Sequence, residues 1–138
     1  MSTSISGGCL CGAVRYRAEL EQPQVMSCYC KDCQGATGST CATFVAVPLT
    51  QMESEGEPKS YTKKGESGRD VTRFFCGDCG SQLYSTVEVM PGVAFVKVGT
   101  LEDADELAPR VALWTQSKSA WVALPEGAAA FEQNPPPR

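Results

Sequence analysis

Histidine is entirely absent from the 138 residues of this chain. A chain without histidine holds no Ser-His-Asp or Cys-His catalytic pair and no HExxH zinc helix. Any bound metal must therefore be held by cysteine, carboxylate or water. Acid–base catalysis would fall to Asp, Glu, Lys, Tyr, a thiol or a metal-bound water.

Long apolar runs and an excess of positive charge are also missing. No apolar run approaches the roughly 20 residues of a membrane helix, and residues 1–8 contain no charged-then-apolar leader. The chain has 12 Lys and Arg against 16 Asp and Glu, a formal net charge of −4. Nucleic-acid binding normally requires a basic face. We therefore expect a cytoplasmic protein that binds neither membranes nor nucleic acids.

Cysteine, by contrast, is abundant, with eight residues in local groups. Cysteines one or two residues apart close no useful disulfide loop, but their sulfurs can converge on one metal ion. We therefore expect metal sites, with a disulfide framework and an iron–sulfur cluster as the less favoured alternatives. The groups are Cys9-x-Cys11, Cys28-x-Cys30-x-x-Cys33, a single Cys41, and Cys76-x-x-Cys79.

The segment Phe-Cys-Gly-Asp-Cys-Gly at residues 75–80 is typical of a zinc knuckle, a tight turn that points two sulfurs inward. It stands between strand-like segments, which places the knuckle at the tip of a hairpin. Two further ligands are needed. If Cys9 and Cys11 lie on an extended strand, their side chains face the same side and can supply them. The predicted structural zinc site comprises Cys9, Cys11, Cys76 and Cys79.

The remaining cysteines are Cys28, Cys30 and Cys33, with Cys41 eight residues later. Three thiolate ligands leave one coordination position open, as in catalytic zinc sites. The segment 30–34 has the spacing of one helical turn and predicts the start of a helix. Cys41 could close a second structural site as a fourth ligand, or it could be a small buried residue at the start of a strand.

Short segments of β-forming residues alternate with turn-rich pieces, and no internal repeat is visible. This pattern predicts a mainly β fold of short antiparallel hairpins in one domain over residues 1–138. We expect an ordered core over approximately residues 5–131 and a loose proline-rich tail over residues 132–138. The predicted strands are residues 13–18, 41–47, 59–62, 70–75, 81–87, 93–99 and 111–114.

Six segments, in order from Gly7 to Trp121, resemble the glutathione-dependent formaldehyde-activating enzymes, a family that shares its zinc domain with centromere protein V. The segments are Gly-Gly-Cys-Leu-Cys-Gly-Ala-Val-Arg-Tyr at 7–16, Cys-x-Cys-x-x-Cys at 28–33, Ala-Thr-Phe-Val-Ala-Val-Pro at 42–48, Phe-Cys-Gly-x-Cys-Gly-Ser-x-Leu-Tyr at 75–84, Val-Gly-Thr-Leu at 98–101 and Ser-Lys-x-x-Trp at 117–121. The resemblance implies a zinc-bearing β-tent fold.

The resemblance also implies a zinc-dependent carbon–sulfur lyase of the S-(hydroxymethyl)glutathione synthase type. In that reaction the thiol of glutathione adds to formaldehyde or a related small aldehyde. The four cysteines of the knuckle site would hold a structural zinc, and Cys28, Cys30 and Cys33 a labile, catalytic zinc. The alternative is a non-catalytic zinc-binding module for protein interactions, because the chain lacks histidines that family members often carry.

Glutathione carries two carboxylates and one ammonium, so basic and aromatic side chains are candidate substrate contacts. Among the bases, Lys118 is favoured over Lys31, Arg69, Arg73 and Lys97. The aromatic candidates are Trp114 and Trp121, as walls of a pocket, and Tyr29, which stands where family members often have histidine.

Overall fold

The computed structural model describes residues 2–135, which form mostly short strands around one α-helix. The helix α1 spans Lys31–Thr37, and no helix among these residues is both long and apolar enough to cross a membrane. The mainly β, antiparallel fold that the sequence predicts is confirmed. The strands are β1 (Thr3–Gly8), β2 (Arg15–Leu20), β3 (Val25–Cys28), β4 (Ala42–Pro48), β5 (Glu53–Glu55), β6 (Lys59–Lys64), β7 (Asp70–Phe75), β8 (Gln82–Val87), β9 (Val93–Lys97), β10 (Val111–Leu113) and β11 (Ala129–Ala130).

The strands form two sheets. The small sheet has the order β1-β2-β5, and the large sheet has the order β11-β10-β3-β4-β9-β8-β7-β6. The strand pairs are antiparallel except β10 with β3 and β10 with β11, which are parallel. An isolated bridge between Gly7 and Leu101 joins the small sheet to the segment that follows β9.

The two faces of the large sheet carry different clusters because successive side chains of a strand point to opposite faces. Val45, Val47 and Val96 point to one face and form a core with residues of the small sheet. Phe44 and Phe95 point to the other face, where their rings meet edge to face at 5.2 Å. The second face also carries Cys28, Ala42 and Leu113.

The N-terminal cysteines lie in a turn, so their predicted placement on an extended strand is wrong. β1 ends at Gly8 and β2 begins at Arg15, and the residues between them form the turn of a hairpin. Gly12 adopts a left-handed conformation, with φ of 83°, and its N–H donates to the Cys9 carbonyl at 3.2 Å. A positive φ of this kind is available to glycine at little cost, which allows the chain to reverse here.

The segment predicted to be a loose tail, residues 132–138, lies partly within the described chain. The Trp114 backbone N–H donates to the Gln133 carbonyl at 3.2 Å, and the Trp114 indole N–H donates to Asn134 Oδ1 at 2.9 Å. Residues 136–138 lie outside the described part of the chain.

Replacing Gly7 by alanine is expected to destabilise the protein. A Cβ atom at Gly7 would collide with the Thr100 carbonyl oxygen and lie 2.8 Å from the Leu101 Cα. Because both partners are backbone, β1 must move away from the segment that follows β9, at a cost of about 1–3 kcal/mol in the free energy of unfolding. The matched control is Gly35→Ala in α1, where the added methyl meets open space and should stabilise by about 0.5–1 kcal/mol. Urea denaturation measures the free energy of unfolding of both variants. Equal stability of Gly7→Ala and Gly35→Ala would contradict the close approach of Gly7 to the Thr100 backbone.

Candidate metal centres

The first candidate centre brings together four cysteines from two hairpin turns, Cys9, Cys11, Cys76 and Cys79, whose sulfurs all lie within 4.8 Å of one another. The Sγ atoms of Cys9 and Cys11 are 3.6 Å apart, and those of Cys11 and Cys76 are 3.7 Å apart. A tetrahedral zinc ion with Zn–S bonds of about 2.3 Å places its sulfurs about 3.8 Å apart. All eight cysteines are free thiols. The donor set and its spacing therefore fit zinc.

Two turns, each closed by a backbone hydrogen bond, present these sulfurs, and that bond spans three residues in the first turn and four in the second. In the first, the Gly12 N–H donates to the Cys9 carbonyl, and in the second the Gly80 N–H donates to the Cys76 carbonyl at 2.9 Å. Gly80 has a φ of 81°, close to that of Gly12. The Asp78 N–H also points at the Cys76 sulfur, at 3.4 Å. The turn predicted at the tip of the β7–β8 hairpin is thus present, and the β1–β2 turn, although closed over one residue fewer, also ends in a left-handed glycine.

Hydrogen bonds to two of these four sulfurs, those of Cys9 and Cys79, favour the thiolate form. The Val14 N–H donates to Cys9 Sγ at 3.2 Å and lowers the pKa of Cys9. The Ser81 hydroxyl, 3.3 Å from Cys79 Sγ, lowers the pKa of Cys79 to about 5, with help from the Ser81 backbone N–H. Ser81 Oγ also accepts from the Leu10 N–H at 3.0 Å and so connects the two turns. Thiolates are the form that binds metal.

The second candidate centre comprises Cys28 at the end of β3, Cys30 just before α1, and Cys33 in its first turn. Their sulfurs also lie within 4.8 Å of one another. The predicted helix start is confirmed, because Cys30 caps α1 and its sulfur accepts from the Cys33 N–H at 3.3 Å. Hydrogen bonding from Cys28 lowers the pKa of Cys30, and the same interaction raises the pKa of Cys28. Of these three thiols, Cys30 is therefore the one that loses its proton most readily.

Cys41 lies apart from this group. Cys28 pairs with Ala42, so these two side chains share a face of the large sheet. Cys41 precedes Ala42, and its sulfur lies 3.7 Å from Thr43 Oγ1, whose own neighbour across the strands is Ser27. Within residues 2–135 no other Cys, Asp or Glu joins the three sulfurs in one group. The structure thus does not support Cys41 as a fourth ligand.

Two basic residues from the large sheet lie near the three-cysteine group. Lys97 pairs with Phe44 across β9 and β4, and its Nζ lies 5.7 Å from the centre of the Phe44 ring. Burial lowers the pKa of Lys97 to about 8, while the charge of Cys33 acts in the opposite direction. The charge of Arg73, on β7, helps to lower the pKa of Cys30, after the hydrogen bonds of that thiol. The sequence indicates both bases as candidate substrate contacts but favours Lys118 over them, because only strand register brings them here.

Of the substrate contacts predicted near the C terminus, Trp114 lies beside the second centre. Trp114 packs against the apolar cluster that includes Cys28, in a left-handed conformation with φ of 57°. Lys118 follows the short 3₁₀ turn Thr115–Ser117, whose last carbonyl accepts from the Gln34 side chain of α1 at 3.0 Å. Trp121 is 78% exposed.

The other predicted contacts lie elsewhere. Tyr29 is 3% exposed, and its pKa is raised by burial and by neighbouring Cys41, so its phenol belongs with the face that Cys41 occupies. Lys31 is exposed at the first residue of α1. Arg69 forms an ion pair with Glu88 at 3.7 Å.

Comparison with known proteins agrees with this arrangement. The family model described as glutathione-dependent formaldehyde-activating enzyme matches residues 4–117. A protein of Schizosaccharomyces pombe, named as an uncharacterized lyase, is 35% identical over 78 residues, which are 56% of this chain and 54% of that protein. The alignment thus spans about half the length of this curated relative. Because the family match covers both cysteine groups and most of the chain, the protein belongs to the glutathione-dependent formaldehyde-activating enzyme family.

Proposed function

We propose that this protein is a zinc-dependent carbon–sulfur lyase that joins the thiol of glutathione to formaldehyde, or to a related small aldehyde, and cleaves the adduct in the reverse direction. The observation that carries the proposal is the group of three cysteine sulfurs with no fourth protein donor among residues 2–135. Three-ligand zinc sites are the ones that react, because the open position admits water or substrate. Family membership and a relative named as a lyase support the same reaction class.

The proposed reaction needs no redox chemistry. The thiol loses its proton, a bond forms between sulfur and the carbonyl carbon, and the carbonyl oxygen gains a proton, giving S-(hydroxymethyl)glutathione. Zinc with an open coordination position, when bound, can stabilise a thiolate or polarise a carbonyl. Both effects would lower the barrier to this addition.

The two centres would have different roles because their donor sets differ. The four-cysteine centre would hold a structural zinc whose coordination is complete. Cys28, Cys30 and Cys33 would hold the catalytic zinc, with Cys28 fixed by β3 and the other two by the start of α1. Three thiolates and one Zn²⁺ carry a net charge of −1, compared with −2 for four thiolates. The three-cysteine centre would therefore be the stronger Lewis acid and would bind a further thiolate more readily.

The predicted substrate contacts would act at different distances from this centre. Trp114 would form a wall, since it already packs against the cluster that contains Cys28. Lys118 and Trp121 would reach the substrate from the segment after Ser117, whose carbonyl accepts a hydrogen bond from the Gln34 side chain of α1. Lys31 would add positive charge beside Cys30, whereas the buried Tyr29, on the face that Cys41 occupies, would not reach the substrate.

Nuclear magnetic resonance exchange spectroscopy of glutathione and formaldehyde tests the proposal. Zinc-loaded protein is expected to accelerate interconversion above the spontaneous rate, chelation should remove the acceleration, and added zinc should restore it. Zinc content is measured on the same samples, so that activity can be compared with occupancy of the two centres. If fully loaded protein gives no acceleration, the substrate assignment is wrong and the non-catalytic binding module becomes the better explanation.

A further inference from the structure

Two basic side chains beside the three-cysteine group, Arg73 and Lys97, form no ion pair with a carboxylate of residues 2–135. The ion pairs among residues 2–135 use other bases, namely Arg15, Arg17, Lys63, Lys64 and Arg69. Arg73 and Lys97 appear in none of them, although both are half-buried. Half-buried positive charges at close range repel each other and lose hydration, so an anion in their neighbourhood would relieve both costs.

Strand register places these two bases on the same face of the large sheet. Arg73 on β7 pairs with Ser85 on β8, and Ser85 pairs with Phe95 on β9. Lys97 follows Phe95 by two residues, so its side chain shares the face. Adjacent strands lie about 4.8 Å apart, which puts the two backbones about 10 Å apart across β8. Arginine and lysine side chains are long enough to meet at one ligand across this distance.

The face they share is the one that carries the three cysteines. Lys97 pairs with Phe44, and Phe44 belongs to the same cluster as Cys28 and Ala42. Cys30 and Cys33 pack against this cluster as well. The bases and the sulfurs therefore line one site.

The charges of this site do not cancel when zinc is bound. The zinc and its three thiolates contribute −1, and the two bases contribute +2, which leaves an excess of one positive charge. We propose that Arg73 and Lys97 form a carboxylate-binding subsite beside the three-cysteine group, and that this subsite selects thiols that carry a carboxylate. The inference rests on the proposed function and names the substrate class within it.

The two side chains suit a carboxylate in different ways. The planar guanidinium of Arg73 can donate two parallel hydrogen bonds to both oxygens, whereas the Lys97 ammonium acts as a point charge. A thiol without a carboxylate would offer these two donors no charged acceptor. The subsite would therefore discriminate through binding, with little effect on the addition step itself.

A pair of thiols of equal chain length tests this selection: 3-mercaptopropionate carries a carboxylate, and 3-mercaptopropanol a neutral hydroxyl. Their addition to formaldehyde is measured with wild-type, Arg73→Gln and Lys97→Met proteins. Each variant is expected to lose about tenfold in kcat/KM for 3-mercaptopropionate, mainly through KM, because it loses a charge-assisted contact. The values for 3-mercaptopropanol should change by less than about twofold. Equal losses for both thiols, or no loss for either, would overturn the proposal.

Calorimetric titration with S-methylglutathione separates this proposal from the proposed function, since that compound keeps the carboxylates but has no free thiol. Its affinity is expected to fall about tenfold in Arg73→Gln and in Lys97→Met. Arg73→Lys should show a smaller loss, because lysine keeps the positive charge but cannot donate two parallel hydrogen bonds to one carboxylate. Unchanged affinity would refute the subsite. If the affinity falls but no thiol addition is accelerated by the wild type, the subsite stands and the proposed reaction fails.

The control variant is Arg110→Gln, because Arg110 is an exposed base that precedes β10. It should match the wild type with both thiols and with S-methylglutathione. Zinc content and melting curves of every variant establish that the fold and both metal centres are retained. A loss in Arg110→Gln as large as in Arg73→Gln would show that overall charge, rather than this subsite, selects the thiol.

Discussion

Replacing Cys76 by serine is expected to unfold most of the domain. Cys76 is 2% exposed, and its sulfur lies 3.7 Å from that of Cys11, which belongs to the other hairpin of the four-cysteine centre. This centre joins the β1–β2 hairpin of the small sheet to the β7–β8 hairpin of the large sheet. Structural zinc supplies about 10 kcal/mol or more of apparent binding energy, which is comparable with the total stability of a domain. Serine is a poor zinc ligand, so most of that energy would be lost.

Circular dichroism, thermal melting and zinc content measure this effect. Cys76→Ser should show a broad or absent transition and should fail to retain the zinc of the four-cysteine centre. The matched control is Cys41→Ser, which removes a half-buried thiol that lies outside both cysteine groups. That variant should melt close to the wild type with its zinc content unchanged. A wild-type melting curve for Cys76→Ser would show that the four-cysteine centre does not hold the fold together.

Replacing Cys33 by serine is expected to abolish activity and to spare the fold. The three-cysteine group is local in sequence, since Cys28, Cys30 and Cys33 lie at the end of one strand and the start of the next helix. Losing its metal breaks no connection between the sheets. Disturbing even an outer partner of a metal ligand typically costs about 10–100-fold in affinity or activity, so losing a direct ligand should cost at least a hundredfold.

The glutathione–formaldehyde exchange rate and the melting curve are compared for Cys33→Ser, Cys76→Ser and Cys41→Ser. We expect the exchange rate of Cys33→Ser to fall to the spontaneous value while its melting temperature stays near that of the wild type. Cys41→Ser should keep both properties, because its sulfur contacts Thr43 on the other face of the sheet. Identical melting behaviour of Cys33→Ser and Cys76→Ser would contradict the division of roles between the two centres.

The local parts of this protein follow from its sequence. The spacing of Cys76 and Cys79 and of Cys30 and Cys33 predicts a knuckle and a helix start, because two ligands within one turn meet whatever the rest of the chain does. Longer strands with clear patterns, such as β7 and β9, are also predicted at nearly their observed positions. β3, with four residues, and β5 and β11, with three and two, are too short to give a periodic signal.

Tertiary structure decided which side chains meet across strands. The cysteine turn between β1 and β2 depends on a left-handed Gly12, and the position of Cys41 depends on which face of β4 packs against the small sheet. Arg73 and Lys97 reach the three cysteines only through the pairing of β7, β8 and β9. A shift of one residue in that register would turn each of these side chains to the opposite face. Cysteine spacing thus predicted which sulfurs could share a metal ion, and strand register determined the charges that surround them.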